Sequence, residues 1–250
     1  MQVNIGPIMS MDKYIPELQE QIRKDFPDSK KLTVQALSFA PNTPQIKPVE
    51  KWFFTDKQQT TGIIIDESNF FIHTTNYLTF EDLITKFMDA LNKFNLVVGG
   101  FTYSRLGLRY VNFINDSDSN VNEKFLGFNL SDKNDIDDLY ISNSETFQKT
   151  KTGAVRVRAS TFNDKNEYNN IHSCMPPDLI EVTKRLLVPK DVERLFDSKF
   201  TILDIDHYTT TDKLDDFSDI NILDKFTSLH YVIDVIFKSA VTNAAIKEWS

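Results

Sequence analysis

Cysteine occurs once in the 250 residues, at Cys174, so a disulfide within the chain and a cysteine-rich metal site are both excluded. Glycine is scarce, at seven residues, and neither GxxxxGKS, GxxxxGKT nor GxGxxG occurs; a loop that wraps backbone N–H groups around phosphate has nothing to be built from. The four histidines, His73, His172, His207 and His230, are dispersed, with no HExxH or HxH spacing to hold zinc on one element. No GxSxG nucleophile elbow exists, and Cys174 stands beside two prolines with no catalytic motif around it. Long apolar runs are missing as well. The opening MQVNIGPIM has no basic stretch followed by an apolar one, and nothing approaches the roughly 18 apolar residues of a membrane span. The expected setting is a reducing cytoplasm, with no membrane association and no cofactor. A formal charge of −8, from 36 acidic and 28 basic residues, disfavours nucleic acid as partner.

What the chain does have is an extended stretch, Phe101 to Asn115, that reads as the central rung of a sheet. Side chains alternate with a period of two, so Ser104, Leu106, Leu108, Tyr110 and Ile114 form a core face, while Arg105, Gly107 and Arg109 share the other with Phe101, Tyr103, Val111 and Phe113. Arginines among aromatics need carboxylates or water. Far downstream, Phe200 to Tyr208 sets Asp204 and Asp206 on one face and Leu203, Ile205 and His207 on the other. Two readings follow: an internal Arg–Asp network that fixes strand register, or a polar cleft in which Arg105 and Arg109 receive an anion. The pair Asp204 and Asp206 also has the DxD form that holds a divalent metal, but no nucleotide motif accompanies it.

Taken in order, Asp12 to Phe26 predicts a helix capped by Asp12, with Pro16 in its first turn. Leu32 to Phe39 predicts a strand, and the three-proline segment APNTPQIKPVE an irregular loop. Lys51 to Thr55, Gly62 to Asp66 and Asn69 to Thr75 predict an antiparallel meander whose dense aromatics belong to the core. Thr79 and Asp82 open a helix as a capping box, and Phe80, Leu83, Ile84, Phe87, Met88, Leu91 and Phe94 give it a wide apolar stripe to cover the sheet. The segment DSDSNVNEKFLG resembles a calcium loop in Asp116, Asp118 and Asn120, but carries Val121 in place of the turn glycine and Gly127 in place of the bidentate glutamate. Two strands then flank KTKTG, with Arg156 and Arg158 expected as solvated edge charges, the alternative being an extension of the basic face of the central strand. Helical stretches at Asp178 to Leu187 and Lys190 to Phe196 precede the LDID strand. An acidic loop, TTTDKLDDFSD, and one long helix from Asn221 to Trp249 close the chain. Abundant Asn, Lys, Ile and Phe read as a compositional bias, so isolated asparagines carry no signal.

The expected fold class is α+β, mostly antiparallel sheet covered by amphipathic helices, in two similar halves. Residues 1–115 form the N-terminal half, 116–138 a polar connector and 139–250 the C-terminal half, with one integrated domain as the alternative. The run RLGLRYVNFI, with LDID and the closing FKSAVTNAAIKEW, resembles a sporadically distributed prokaryotic family of about 250 residues that has no established activity. Arg105, Gly107, Leu108, Arg109, Tyr110 and Asn112 carry its strand motif, and Phe237, Val241, Thr242 and Trp249 its closing helix. The resemblance implies fold boundaries and an association with mobile or defence-type gene neighbourhoods, and no mechanism. A non-enzymatic binding or interaction protein is therefore expected, whose partner is another protein, a second copy or a small anion. Arg105, Arg109, Tyr110, Asn112, Asp204 and Asp206 are its candidate ligand-binding residues, with no catalytic or metal-ligating set. The alternatives are a sensor of an anionic small molecule at the arginine-bearing face and a metal-dependent enzyme built on Asp204 and Asp206.

Overall fold

The structure is a computed structural model that describes residues 1–40, 43–115, 141–162 and 200–249. Nine strands are joined in one sheet: β1 (Gln2–Ile5), β2 (Asp28–Ala40), β3 (Thr43–Thr55), β4 (Thr61–Asp66), β5 (Asn69–Thr74), β6 (Thr102–Asn115), β7 (Ile141–Lys149), β8 (Ala154–Phe162) and β9 (Phe200–Asp216). The order is β2-β3-β4-β5-β1-β6-β9-β8-β7. Among the described residues, helices α1 (Met11–Ile22), α2 (Phe80–Val98), α3 (Asp219–Ala240) and α4 (Asn243–Trp249) accompany the sheet in an α+β fold. The chain divides into two compact units, Met1–Leu106 with Thr210–Phe226, and Gly107–Thr209 with Thr227–Ser250, so β6, β9 and α3 contribute to both. The expected connector at 116–138, its calcium-like segment, Cys174, His172 and the two helical stretches between 178 and 196 lie outside the described residues.

In the first unit the aromatic segments are core, as the alternation implied. Trp52, Phe53, Phe54 and Phe70 are buried, and all six residues of β4 are buried. Thr79 caps α2 by accepting from the Asp82 backbone N–H at 3.1 Å, and Gly99 ends the helix at φ 74°, the left-handed conformation that glycine adopts without a Cβ penalty. The apolar stripe of α2 then builds an aromatic stack: Phe87 and Phe94 lie 5.9 and 5.3 Å from Phe70, and Phe94 lies 5.5 Å from Phe101. Offset and edge-on contacts of this kind add about 0.5–1.5 kcal/mol each beyond the area they bury.

Several expectations are corrected. Residues 43–50 of the proline-rich segment are strand, not loop: Pro44 and Pro48 in β3 pair opposite Phe39 and Gln35 of β2. Residues an even number apart aim their nitrogens at the same edge, and β3 pairs with β4 only through Trp52–Thr55, so both prolines can face an edge that asks for no N–H donor. The first helix starts at Met11, with Ser10 as N-cap, which places Pro16 in the second turn; it is exposed there, so the carbonyl it leaves unbonded faces water. The acidic segment after Tyr208 is the second half of β9: strand pairing needs backbone partners rather than apolar side chains, and the hydroxyl of Thr211 donates to the Ser104 carbonyl of β6. The closing helix is two helices, since Thr242 interrupts it and caps α4 by accepting from the Ala245 N–H at 3.3 Å. Strand β1 had no counterpart in the sequence reading. Along Phe101 and β6, buried side chains occur at both parities, at Phe101 and Tyr103 and at Leu106, Leu108 and Ile114, so the single core face expected from the alternation does not hold throughout.

The turn between β7 and β8 depends on close backbone approach. Gly153 has φ 156°, and a Cβ there would collide with the Tyr208 carbonyl oxygen. Gly153→Ala is expected to destabilise the protein by about 1–3 kcal/mol in urea unfolding; an unchanged midpoint would show that the turn relaxes freely.

Candidate functional site

Three adjacent strands of the second unit bring charged side chains onto one face. Antiparallel pairing sets Arg158 opposite Asp204 and Arg156 opposite Asp206 between β8 and β9, and Glu145 and Phe147 of β7 opposite Arg158 and Arg156. Directly paired residues point to the same side of a sheet. The reverse face carries Val155, Ala159, Leu203 and Ile205, all buried in the core.

Asp204 is the floor of the site, at 1 % exposure. Arg109 of β6 grips it with both arms of the guanidinium, Nε donating to Oδ1 and Nη2 to Oδ2, each at 2.7 Å. This bidentate fork is the strongest geometry available to the two groups. Arg158 reaches the same carboxylate at 3.4 Å and Arg156 at 3.8 Å, and the Nε of Arg156 stands 3.8 Å from Glu145. Arg156 and Arg158 are therefore not solvated edge charges. Strand β8 is interior to the sheet, between β9 and β7, and its arginine side chains are 26 % and 21 % exposed.

The six candidate residues are distributed as follows. Arg109 and Asp204 meet directly. Asp206 lies on the same face, across from Arg156, and makes no ion pair among the described residues. Asn112 donates to the Leu203 carbonyl at 3.2 Å, a tie between neighbouring backbones. The Tyr110 hydroxyl is 3.4 Å from Nδ1 of His230 on α3. Arg105 belongs to the first unit, where it donates to Gln2 at 2.8 Å. Arg156, Arg158 and Glu145 complete the cluster. Their signal was the R-x-R spacing of β8 matched against the D-x-D spacing of β9, which carries meaning once the two strands are known to pair.

A divalent metal would have to compete at Asp204 with a guanidinium that already occupies both oxygens. Among the described residues no group of three or more His, Cys, Asp or Glu side chains is arranged to hold an ion.

Several other buried polar groups are engaged in local hydrogen bonds. Nδ1 of His207 is 3.0 Å from the Leu229 carbonyl, which can only accept, so that nitrogen carries the proton and Nε2 accepts from Thr150 at 2.9 Å. Burial lowers its pKa against the raising effect of that carbonyl. At Lys225, burial lowers the pKa, but hydrogen bonds to the Tyr103 hydroxyl and the Asp215 carboxylate outweigh it and the net shift is upward. In the first unit a polar chain crosses the sheet: Arg105 to Gln2, Gln2 and Asn4 to Asn69, Asn69 to Asp66, with Lys51 3.9 Å from Asp66. The discounted asparagines Asn4 and Asn69 are its middle links. His73 of β5 packs over Gly62, and both its ring nitrogens are sealed without a hydrogen-bond partner. Burial first, then repulsion from the N-terminal ammonium, outweigh the attraction of Asp56 and lower its pKa to about 4.

No protein-family model, curated protein or solved structure matches the chain.

Removing one member of a buried pair leaves the other charge uncompensated. Asp204→Ala is expected to cost about 3–5 kcal/mol in chemical denaturation, against a change within about 0.5 kcal/mol for Asp206→Ala. Equal losses in the two variants would contradict the geometry. His73 generates a pH prediction. Its folded pKa lies below the ordinary 6.5, so between pH 6.5 and about 4 the unfolded chain binds more protons and stability falls as pH falls. The lost stability is at most about 3 kcal/mol. Comparing urea midpoints of wild type and His73→Phe from pH 7 to pH 4 should show the wild type losing more; parallel curves would refute the assignment.

Proposed function

We propose that the protein is a non-enzymatic binding protein that receives an anionic group of its partner, a carboxylate in the first instance, at the β8–β9 face beside Asp204. One observation carries this reading: among the described residues Arg156 makes no hydrogen bond, and its two ion contacts are both at 3.8 Å. A guanidinium has five N–H donors in a planar fork suited to a carboxylate. Arg109 is committed to Asp204, and through that bond holds the floor rigid, while Arg156 stands above it with its donors unspent and a quarter of its side chain exposed. The neighbouring Asp204 supports the choice of ligand chemistry, since the cluster already binds one carboxylate.

The same proposal includes membership of the sporadically distributed prokaryotic family, which rests on the RLGLRYVNFI motif, and a location inside the cell. No helix among the described residues is long and apolar enough to cross a membrane. The metal-dependent enzyme on Asp204 and Asp206 has less support, because the arginine fork fills the carboxylate that such chemistry would use.

Citrate and inorganic pyrophosphate serve as probes. Either is expected to raise the melting temperature of the wild type in a concentration-dependent way, by linkage to the folded state, and to leave Arg156→Ala unchanged. A flat response of the wild type to both anions, or an equal rise in the variant, would overturn the reading.

A further inference from the structure

Strand β7 is the last in the sheet order and pairs with β8 alone among the described residues. Its residues from Glu145 to Lys149 are all exposed, and Phe147 shows 69 % of its surface to solvent. A terminal strand presents a row of backbone donors and acceptors ready for another strand, and natural edges are usually guarded by charge. Here the charges are arranged in a particular way. Glu145, Phe147 and Lys149 are two residues apart and so lie on one face, the face of the guanidinium cluster, with the aromatic ring flanked by one acid and one base.

We infer that β7 is a self-association edge, on which a second copy of the chain adds its own β7 antiparallel across a two-fold axis at Phe147. The argument is one of complementarity under symmetry. In an isologous antiparallel pair centred on residue 147, Phe147 opposes Phe147 of the second copy, and Glu145 opposes Lys149 twice, once on each side. Directly opposite aromatic residues and opposite charges both stabilise a strand pair, and like charges destabilise it. Moving the axis one residue towards the N-terminus sets Glu145 against Phe147; moving it one residue the other way sets Phe147 against Lys149. A single register satisfies all three side chains. Lys149 makes no hydrogen bond or ion pair within its own chain among the described residues, and Glu145 makes one long contact, 3.8 Å to Arg156, so both are available to the second copy. This inference does not depend on anion binding at Arg156.

Charge reversal tests it. Sedimentation equilibrium of the full chain should show a monomer–dimer equilibrium that weakens with added salt. Glu145→Lys and Lys149→Glu should each weaken dimerisation by about tenfold or more, since each places like charges together at both symmetric positions. The double variant Glu145→Lys/Lys149→Glu should restore it. Lys149→Glu touches no partner among the described residues, so its fold, checked by circular dichroism, guards against loss by unfolding. A wild type that remains monomeric throughout the accessible concentration range overturns the inference, as do single variants that dimerise like wild type or a double variant as weak as the singles.

Discussion

A carboxylate sealed from water has to be answered by a cation, and in the second unit Asp204 imposes that requirement on three strands. Its own strand, β9, supplies the charge; β6 supplies the bidentate Arg109; β8 supplies Arg158 and Arg156 at increasing distance. Each distance has a different consequence. At 2.7 Å with two parallel bonds, Arg109 and Asp204 specify how β6 and β9 must lie, because a slip of one residue would turn the acid to the apolar face. At 3.8 Å, with no hydrogen bond among the described residues, Arg156 contributes little to the pair. The gradient from fully engaged to disengaged guanidinium separates the stabilising part of the cluster from the part proposed to receive an anion.

The first unit solves a related problem with neutral groups. A large aromatic core under α2 supplies most of the driving force, through side chains such as Phe70, Phe87 and Phe94 that are wholly buried. Polar side chains at Gln2, Asn4 and Asn69 then link the charge of Arg105 to that of Asp66 by carboxamide hydrogen bonds. A carboxamide can donate and accept at once, so a row of them carries a hydrogen-bond chain across strands where successive ions would repel. This gives β1, a strand of four residues, specific partners beyond its backbone.

Much of the fold was legible because it is periodic. The stripe of α2, its Thr79 cap, the meander of β3 to β5 and the alternating faces of β8 and β9 follow from side-chain spacing that local geometry enforces. The failures have physical causes as well. Pro44 and Pro48 look like breakers until the neighbour list shows an edge that needs no donor. The threonines and aspartates after Tyr208 look like loop because backbone pairing leaves no mark in side-chain hydropathy. The asparagines looked compositional, and two of them hold a network together. Strand β1 is too short to show any period.

What the sequence determined by itself was the inventory: an α+β chain, its clearest helices and strands, the paired spacing of arginines and aspartates, and the absence of nucleotide, zinc and nucleophile motifs. Those are properties of neighbours along the chain, where sterics and alternation act locally. Which arginine takes Asp204, which one is left with its donors unspent, and which strand ends the sheet were decided by tertiary structure alone. The arginine contacts to Asp204 join residues 46 to 95 positions apart, and nothing in the local spacing of either strand carries the information about its partner.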